Sequence, residues 1–155
     1  MKKEEDLTPG TSRFPRTRVL FVCVGNACRS PMAEAIAQRD AADVIEPSSA
    51  GLYPLGYIAE QTKQTLIKNG YSADRLTSDA LTPEAIGGAD LVINMTGRML
   101  REAFRNHQKV ENWWVEDPFD SDPETYQRAF EKIQGRVNQL AVWLREERRS
   151  SKTGR

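Results

Sequence analysis

The sequence predicts an α/β fold, a four-stranded parallel sheet with helices on both faces. Three observations predict it. Short apolar runs alternate with helix-patterned segments along the chain. The first run, Val19-Leu20-Phe21-Val22, is continuous and β-branched, as in a strand covered on both faces. That run breaks into Cys23-Val24-Gly25-Asn26-Ala27-Cys28-Arg29-Ser30 directly before a helix-forming stretch, and the carboxyl end of such a strand is where open α/β sheets hold their ligands.

In chain order, residues 1–17 are polar with Pro9, Gly10 and Pro15 and read as a flexible leader, with Arg13, Arg16 and Arg18 as a solvated flank. Ser30 suits an N-cap and Pro31 the first helical position of a helix through Ala37 and beyond. Asp40–Asp43 make a turn, and a second strand runs from Val44-Ile45 to Ser48-Ser49-Ala50-Gly51. After the loop Leu52–Tyr57 comes a helix over Glu60–Asn69, with Thr62, Leu66 and Ile67 inward and Gly70 at its end. Thr82-Pro83-Glu84 opens a short helix that Gly87-Gly88 closes. Ala89–Asn94 is the third strand. Thr96 caps a helix through about Asn106, with His107 solvated beyond it. Val110–Val115 is the last strand, one of Trp113 and Trp114 facing the core and the other a helix. Asp122-Pro123 starts the final helix, whose stripe Tyr126, Phe130, Ile133, Val137, Leu140, Leu144 follows helical spacing. Arg145–Arg155 reads as a charged, frayed end, so residues 18–147 form one domain and residues 148–155 a tail.

Composition narrows the function classes. The chain has 155 residues, enough for one domain with a proper core. The 22 Lys plus Arg balance 22 Asp plus Glu, so no basic field points to nucleic acid. The longest apolar run, Val19–Val24, is too short to span a bilayer, and Met1–Asp6 lacks the apolar segment of a secretion signal. Two cysteines five apart do not make a secreted disulfide framework. A soluble, cytoplasmic protein is expected, with no membrane partner; its oligomeric state is not legible. No nucleotide-binding glycine motif occurs, and one His without a second Cys pair leaves no metal cluster, so no cofactor is expected.

The loop carries the chemistry. A loop opening into a helix N-terminus presents free N–H groups and the positive end of the helix dipole to an anion. Gly25 and Asn26 tolerate φ > 0, so successive amides can form a nest. Arg29 adds a planar fork suited to two phosphate oxygens. Cys23 stands at the strand end, where a helix N-terminus and an arginine hold a thiol as thiolate. The chemistry that follows is attack by Cys23 on phosphorus, with the backbone of Val24, Gly25, Asn26, Ala27 and Cys28 and the Arg29 fork holding the oxygens. The Ser30 hydroxyl can hydrogen-bond the Cys23 sulfur.

The string C-V-G-N-A-C-R-S-P-M-A-E, from Cys23 to Glu34, resembles the signature of the low-molecular-weight protein tyrosine phosphatases and of the arsenate reductases built on the same fold. The resemblance runs from about Val19 to about Leu144 and is dense again at Asp117-Pro118-Phe119. It implies strand order 2-1-3-4, the phosphate loop after the first strand, and a phosphorylated protein or peptide as substrate. It makes Asp117 the acid that protonates the leaving group and then the base that activates water, and places Phe119 beside the substrate. It also implies an aromatic residue walling the cleft, for which Tyr53 is the best match and Tyr57 a weaker one; packing down its own loop is the other role open to Tyr53. Cys28 either forms a protective disulfide with Cys23 or packs under the loop.

Two departures from the pattern matter. The family carries a His and an Arg supporting the loop where this chain has Arg75-Leu76-Thr77-Ser78-Asp79-Ala80, so support for Asn26 must come from a hydroxyl such as Ser48, Ser49, Thr77 or Ser78. Tyrosine-specific members carry Ile, and arginine phosphatases Thr, where this chain has Ala27. The expected function is a phosphomonoester hydrolase, first for phosphotyrosine. An arginine phosphatase, or an arsenate reductase linked to glutathione or mycothiol, is the alternative; thioredoxin-linked reductases need further cysteines downstream, and none follows Cys28.

Overall fold

The structure is a computed structural model that describes residues 15–100, 104 and 109–153, the last three without their side chains. The expected leader over residues 1–17 lies outside the described residues as far as residue 14, and Thr17 already belongs to the first strand. The helix expected from Thr96 does not begin there: residues 96–100 are not helical, Gly97 has φ +78°, and the Thr96 hydroxyl accepts from the Arg98 N–H at 3.0 Å. The rest of that helix and the solvated His107 fall outside the described residues, apart from Phe104, which is buried.

Four parallel strands form one sheet in the order β2-β1-β3-β4. They are β1 (Thr17–Cys23), β2 (Ile45–Gly51), β3 (Leu91–Asn94) and β4 (Val110–Asn112). β1 is central, and Val19 to Cys23 are all buried, which is why this run shows no alternation. Odd and even residues of β1 feed two cores. Val19, Phe21 and Cys23 pack with α1 (Arg29–Asp40) and α4 (Pro123–Thr153). Leu20 and Val22 pack with Ala50, Val92, Phe104 and the flank of the short α3 (Pro83–Gly87). α2 (Glu60–Lys68) lies against α4.

The stripe of α4 is buried from Tyr126 to Leu144, each large apolar side chain contributing roughly 1.5–3 kcal/mol. Phe21 and Trp113 meet across this core, ring centroids 5.9 Å apart. Asp122 caps α4, accepting from the Thr125 N–H at 2.9 Å, and Thr82 caps α3 through the Ala85 N–H at 3.0 Å.

Several sequence expectations are corrected. α1 begins at Arg29 with Cys28 as its cap residue, so Ser30 and Pro31 lie inside the first turn and Ser30 caps nothing. Ile67 is exposed while Thr62 and Leu66 are buried. β4 stops at Asn112: the Trp113 N–H still bonds Asn94 O (3.0 Å), the Asn94 amide bonds Asn112 Oδ1 (2.9 Å), and no pairing follows. Trp113 faces the core, but Trp114 is exposed instead of covered by a helix. α4 does not fray at Arg145: it runs to Thr153, tied by a two-pronged contact from Arg145 to Asp43 (2.8 and 2.9 Å) and by Arg148 to Asp43 O (2.9 Å). Arg18 is paired with Asp90 at 2.8 Å and Arg16 donates to Ala42 O at 3.3 Å, so neither is a purely solvated flank.

Candidate active site

The loop from Cys23 to Arg29 owes its shape to the segment after β2. Leu52 N–H donates to Cys23 O (3.2 Å), Tyr53 N–H to Val24 O (2.8 Å), Leu55 N–H to Gly25 O (3.0 Å) and Ala59 N–H to Ala27 O (3.2 Å). The Thr62 and Ser78 hydroxyls add to Ala27 O and Gly25 O. In a trans peptide the C=O and the following N–H point opposite ways, so carbonyls tied outward turn the next amides inward. Among the described residues, the N–H groups of Val24 to Arg29 meet no protein acceptor, and the Ser30 N–H points at Cys23 Sγ at 3.4 Å. This is a ring of donors at a helix N-terminus, the physical requirement for binding an oxyanion.

Two glycines make room for it. At Gly51, paired with Cys23 across the sheet, an added Cβ would lie 2.8 Å from Asn26 N and Asn26 Cβ and 2.9 Å from Val24 O. At Gly25 it would meet Leu55 at 3.3 Å. The positive φ expected of Gly25 or Asn26 falls on Asn26 alone, at +47°.

Asn26 is fully buried, and its side chain holds that conformation. Its amide donates to Ser30 Oγ (2.7 Å) and Ser49 Oγ (3.0 Å), and its carbonyl accepts from the Asp79 N–H (2.7 Å). Of the four hydroxyls considered for this support, Ser49 provides it directly. Ser78 braces the Gly25 carbonyl instead, and Thr77 bonds Asp79. Ser30 Oγ lies 3.0 Å from Cys23 Sγ.

Arg29 closes the ring from the side. Its guanidinium is buried; Nη1 donates to Met95 O (2.6 Å) beyond β3 and Val115 O (3.1 Å) beyond β4. Nη2 lies 3.4 Å from Asp117 Oδ2. Nε, on the same edge as Nη2, is buried with no partner. A buried donor costs about 1–3 kcal/mol when unsatisfied, so a site that keeps one open is built for an acceptor. Asp117 is half exposed at the rim, its Oδ1 accepting from the Phe119 N–H at 3.1 Å.

The structure thus brings Cys23, Arg29 and Asp117 together, with Val24–Cys28 and Ser30 around them. Tyr53 is 68% exposed, which argues against the packing role for its ring, and Phe119 is 45% exposed on the other side. Tyr57 is also exposed, and Ala27 is buried. Cys28 is buried, bonded to Tyr126 Oη at 3.5 Å; burial pushes its thiol up, partly countered by Thr62 and Tyr126. Both cysteines are free. Gly51 and Glu34 went unread in the sequence. Glu34, whose Oε1 accepts from Ser49 Oγ at 2.6 Å, ends the network, and burial raises its carboxyl against the pull of Ser49. A separate groove of about 760 Å³ between the start of β1 and the outer half of α4, lined by Thr17, Trp113, Arg136 and Trp143, includes none of the loop.

Residues 18–150 match the family model described as low molecular weight phosphotyrosine protein phosphatase. A protein-arginine-phosphatase of Bacillus subtilis is 32% identical over 150 residues, covering 84% of this chain and 99% of that protein. An arsenate reductase of Bacillus licheniformis is 30% identical over 131 residues, covering 79% and 94%. The solved arginine phosphatase of Geobacillus stearothermophilus superposes with a TM-score of 0.79 at 29% identity, covering 88% of this chain and 97% of that one.

Proposed function

The chain belongs to the low molecular weight phosphotyrosine protein phosphatase family, and on that premise we propose that it hydrolyses phosphotyrosine in proteins or peptides through a phosphocysteine intermediate. The observation that carries this reading is the buried Arg29 Nε without an acceptor, beside a ring of unpaired amides with Cys23 Sγ among them. Three equatorial oxygens of a phosphoryl group would take those donors, and the Nε–Nη2 edge would bind two of them.

The steps follow from the positions. Cys23 sulfur forms the S–P bond as the P–O bond to tyrosine breaks. Asp117 gives its proton to the departing oxygen. It lies against the Arg29 edge that the phosphoryl oxygens would occupy, so binding moves it toward the leaving group. In the second step its carboxylate takes a proton from water, which attacks phosphorus and releases Cys23. Ser30 Oγ, 3.0 Å from the sulfur, can hydrogen-bond it as it departs.

The exposed rings of Tyr53 and Phe119 support an aryl substrate by stacking. A second reading, phosphoarginine, is favoured by the arginine phosphatase relative, which matches along nearly its whole length. Assay of one preparation on a phosphotyrosine peptide, a phosphoarginine peptide, and arsenate with small thiols tests both. Phosphotyrosine kcat/KM is expected to exceed phosphoarginine kcat/KM by about tenfold or more, a preference that pocket contacts can supply. The reverse ratio installs the second reading, and arsenate-dependent thiol oxidation without turnover of either peptide overturns both.

We place the reaction in the cytoplasm, where a free nucleophilic thiol persists. Among the described residues no helix is long and apolar enough to cross a membrane. Peroxide is expected to inactivate the enzyme reversibly. Peroxide oxidises Cys23 to sulfenic acid with release of water, Cys28 thiolate attacks that sulfur and expels hydroxide to close a disulfide, and dithiothreitol reduces it back to two thiols. Because the Cys28 thiol is pushed up by burial, closure should accelerate as pH rises above neutral. Cys28→Ser should lose dithiothreitol-recoverable activity after peroxide; full recovery in that variant would exclude the disulfide.

A further inference from the structure

Four hydrogen bonds join a carboxylate to the nucleophile. Ser49 Oγ donates to Glu34 Oε1 (2.6 Å), Asn26 Nδ2 donates to Ser49 Oγ (3.0 Å) and to Ser30 Oγ (2.7 Å), and Ser30 Oγ meets Cys23 Sγ (3.0 Å). Each serine has one hydrogen to give. Ser49 spends its hydrogen on Glu34, so its oxygen is purely an acceptor toward Asn26. That holds the Asn26 amide nitrogen toward both serines, the orientation the Asp79 N–H also favours by bonding Oδ1 at 2.7 Å. Ser30 Oγ then accepts from Asn26 and must direct its own hydrogen elsewhere. The acceptors in reach are Cys23 Sγ at 3.0 Å and Ala50 O at 3.5 Å; the sulfur is nearer.

We propose that Glu34 is a positioning residue for Cys23: by accepting the Ser49 hydroxyl it sets the direction of a hydrogen-bond chain that ends in a hydroxyl hydrogen delivered to the nucleophilic sulfur. Without an acceptor at Glu34, the Ser49 hydrogen is free to turn toward Asn26. That costs Asn26 Nδ2 its bond to Ser49 while the Asp79 N–H still holds Oδ1, and the loosened amide no longer keeps the Ser30 hydrogen on Cys23 Sγ and off Ala50 O. The inference rests on Cys23 being the nucleophile of the proposed reaction.

Charge and hydrogen bonding act in opposite directions here, and the test separates them. An ionised Glu34, with Asp79 as the other carboxylate bearing on it, opposes a thiolate at Cys23; the bond it accepts from Ser49 favours one. Glu34→Gln and Glu34→Ala both remove the charge, but only Gln keeps an oxygen for Ser49. Their difference therefore reads the hydrogen bond alone. The measurement is the rate of Cys23 alkylation by iodoacetamide across pH 5–8, located by peptide mass spectrometry on folded protein without substrate.

At pH 6 Cys23 in Glu34→Gln is expected to alkylate about fivefold faster than in Glu34→Ala, a difference of the size one charge-assisted hydrogen bond in a network supplies. Ser49→Ala should behave like Glu34→Ala, and decides the question should Glu34→Ala not fold. Equal rates in the Gln and Ala variants, or a faster Ala variant, would overturn the proposal and leave Glu34 as packing. Because the assay uses no phosphorylated substrate, its outcome is independent of whether the phosphotyrosine assignment holds.

Discussion

Cys23→Ser is expected to lower turnover of an aryl phosphate by about 10⁴-fold or more while leaving phosphate binding intact. The size follows from removing the atom that forms the covalent intermediate, a loss that other members of the constellation do not replace. A serine hydroxyl in the same place gains far less than a thiol from a helix N-terminus and an arginine, because at neutral pH it stays protonated. Binding is expected to survive because the donors lie elsewhere: the amides from Val24 to Arg29 and the Nε–Nη2 edge of Arg29 are untouched. Steady-state kinetics and titration calorimetry with inorganic phosphate, run on one preparation, check both halves. Retention of a tenth or more of the activity would remove Cys23 from the mechanism.

The second large effect is expected from Asp117→Asn. General acid catalysis supplies about 10²–10⁴-fold, and kcat should fall by that factor with little change in KM. Asparagine has the same shape, and its Oδ1 keeps the bond from the Phe119 N–H seen at 3.1 Å, so the loop should hold. What disappears is the transferable proton. The loss should depend on the substrate: small for phosphates of acidic phenols, whose anions leave unaided, and large for phosphates of weakly acidic ones. A series of aryl phosphates should show kcat falling more steeply with leaving-group basicity in Asp117→Asn than in the parent. Parallel lines for the two enzymes would place the acid on another residue.

Much of the fold was legible because burial and local pattern coincide. β1 reads as a doubly covered strand since both of its faces are in fact covered, and the α4 stripe lies on one face as its spacing requires. Expectations fail where a residue serves a contact distant in sequence. Ser30 has the composition of a helix cap, but its hydroxyl is taken by Asn26 and Cys23, so the helix starts on Arg29 instead. Ile67 fits an apolar helix face, and Trp114 an alternating strand, yet both lie where the core has ended. The catalytic loop was legible because its parts are contiguous, whereas its support was not. Ser49 lies 23 residues from Asn26, Asp79 lies 53 away, and nothing local marks either as a partner. The histidine missing from the pattern signalled that something else holds Asn26; only three-dimensional contact tells that Ser49, Asp79 and, through Ser49, Glu34 do so.

Gly51 bears on how such enzymes can diversify. Backbone stands closer than van der Waals contact to where any side chain would begin there, so the backbone path of the cup beneath it is a fixed casting for every useful variant. Novelty in what the enzyme accepts then comes from side chains, at position 27 within the loop and, more freely, higher up on Tyr53 and Phe119, whose rings are exposed and can be exchanged without disturbing the casting. A library aimed at new selectivity should therefore be drawn from those upper positions.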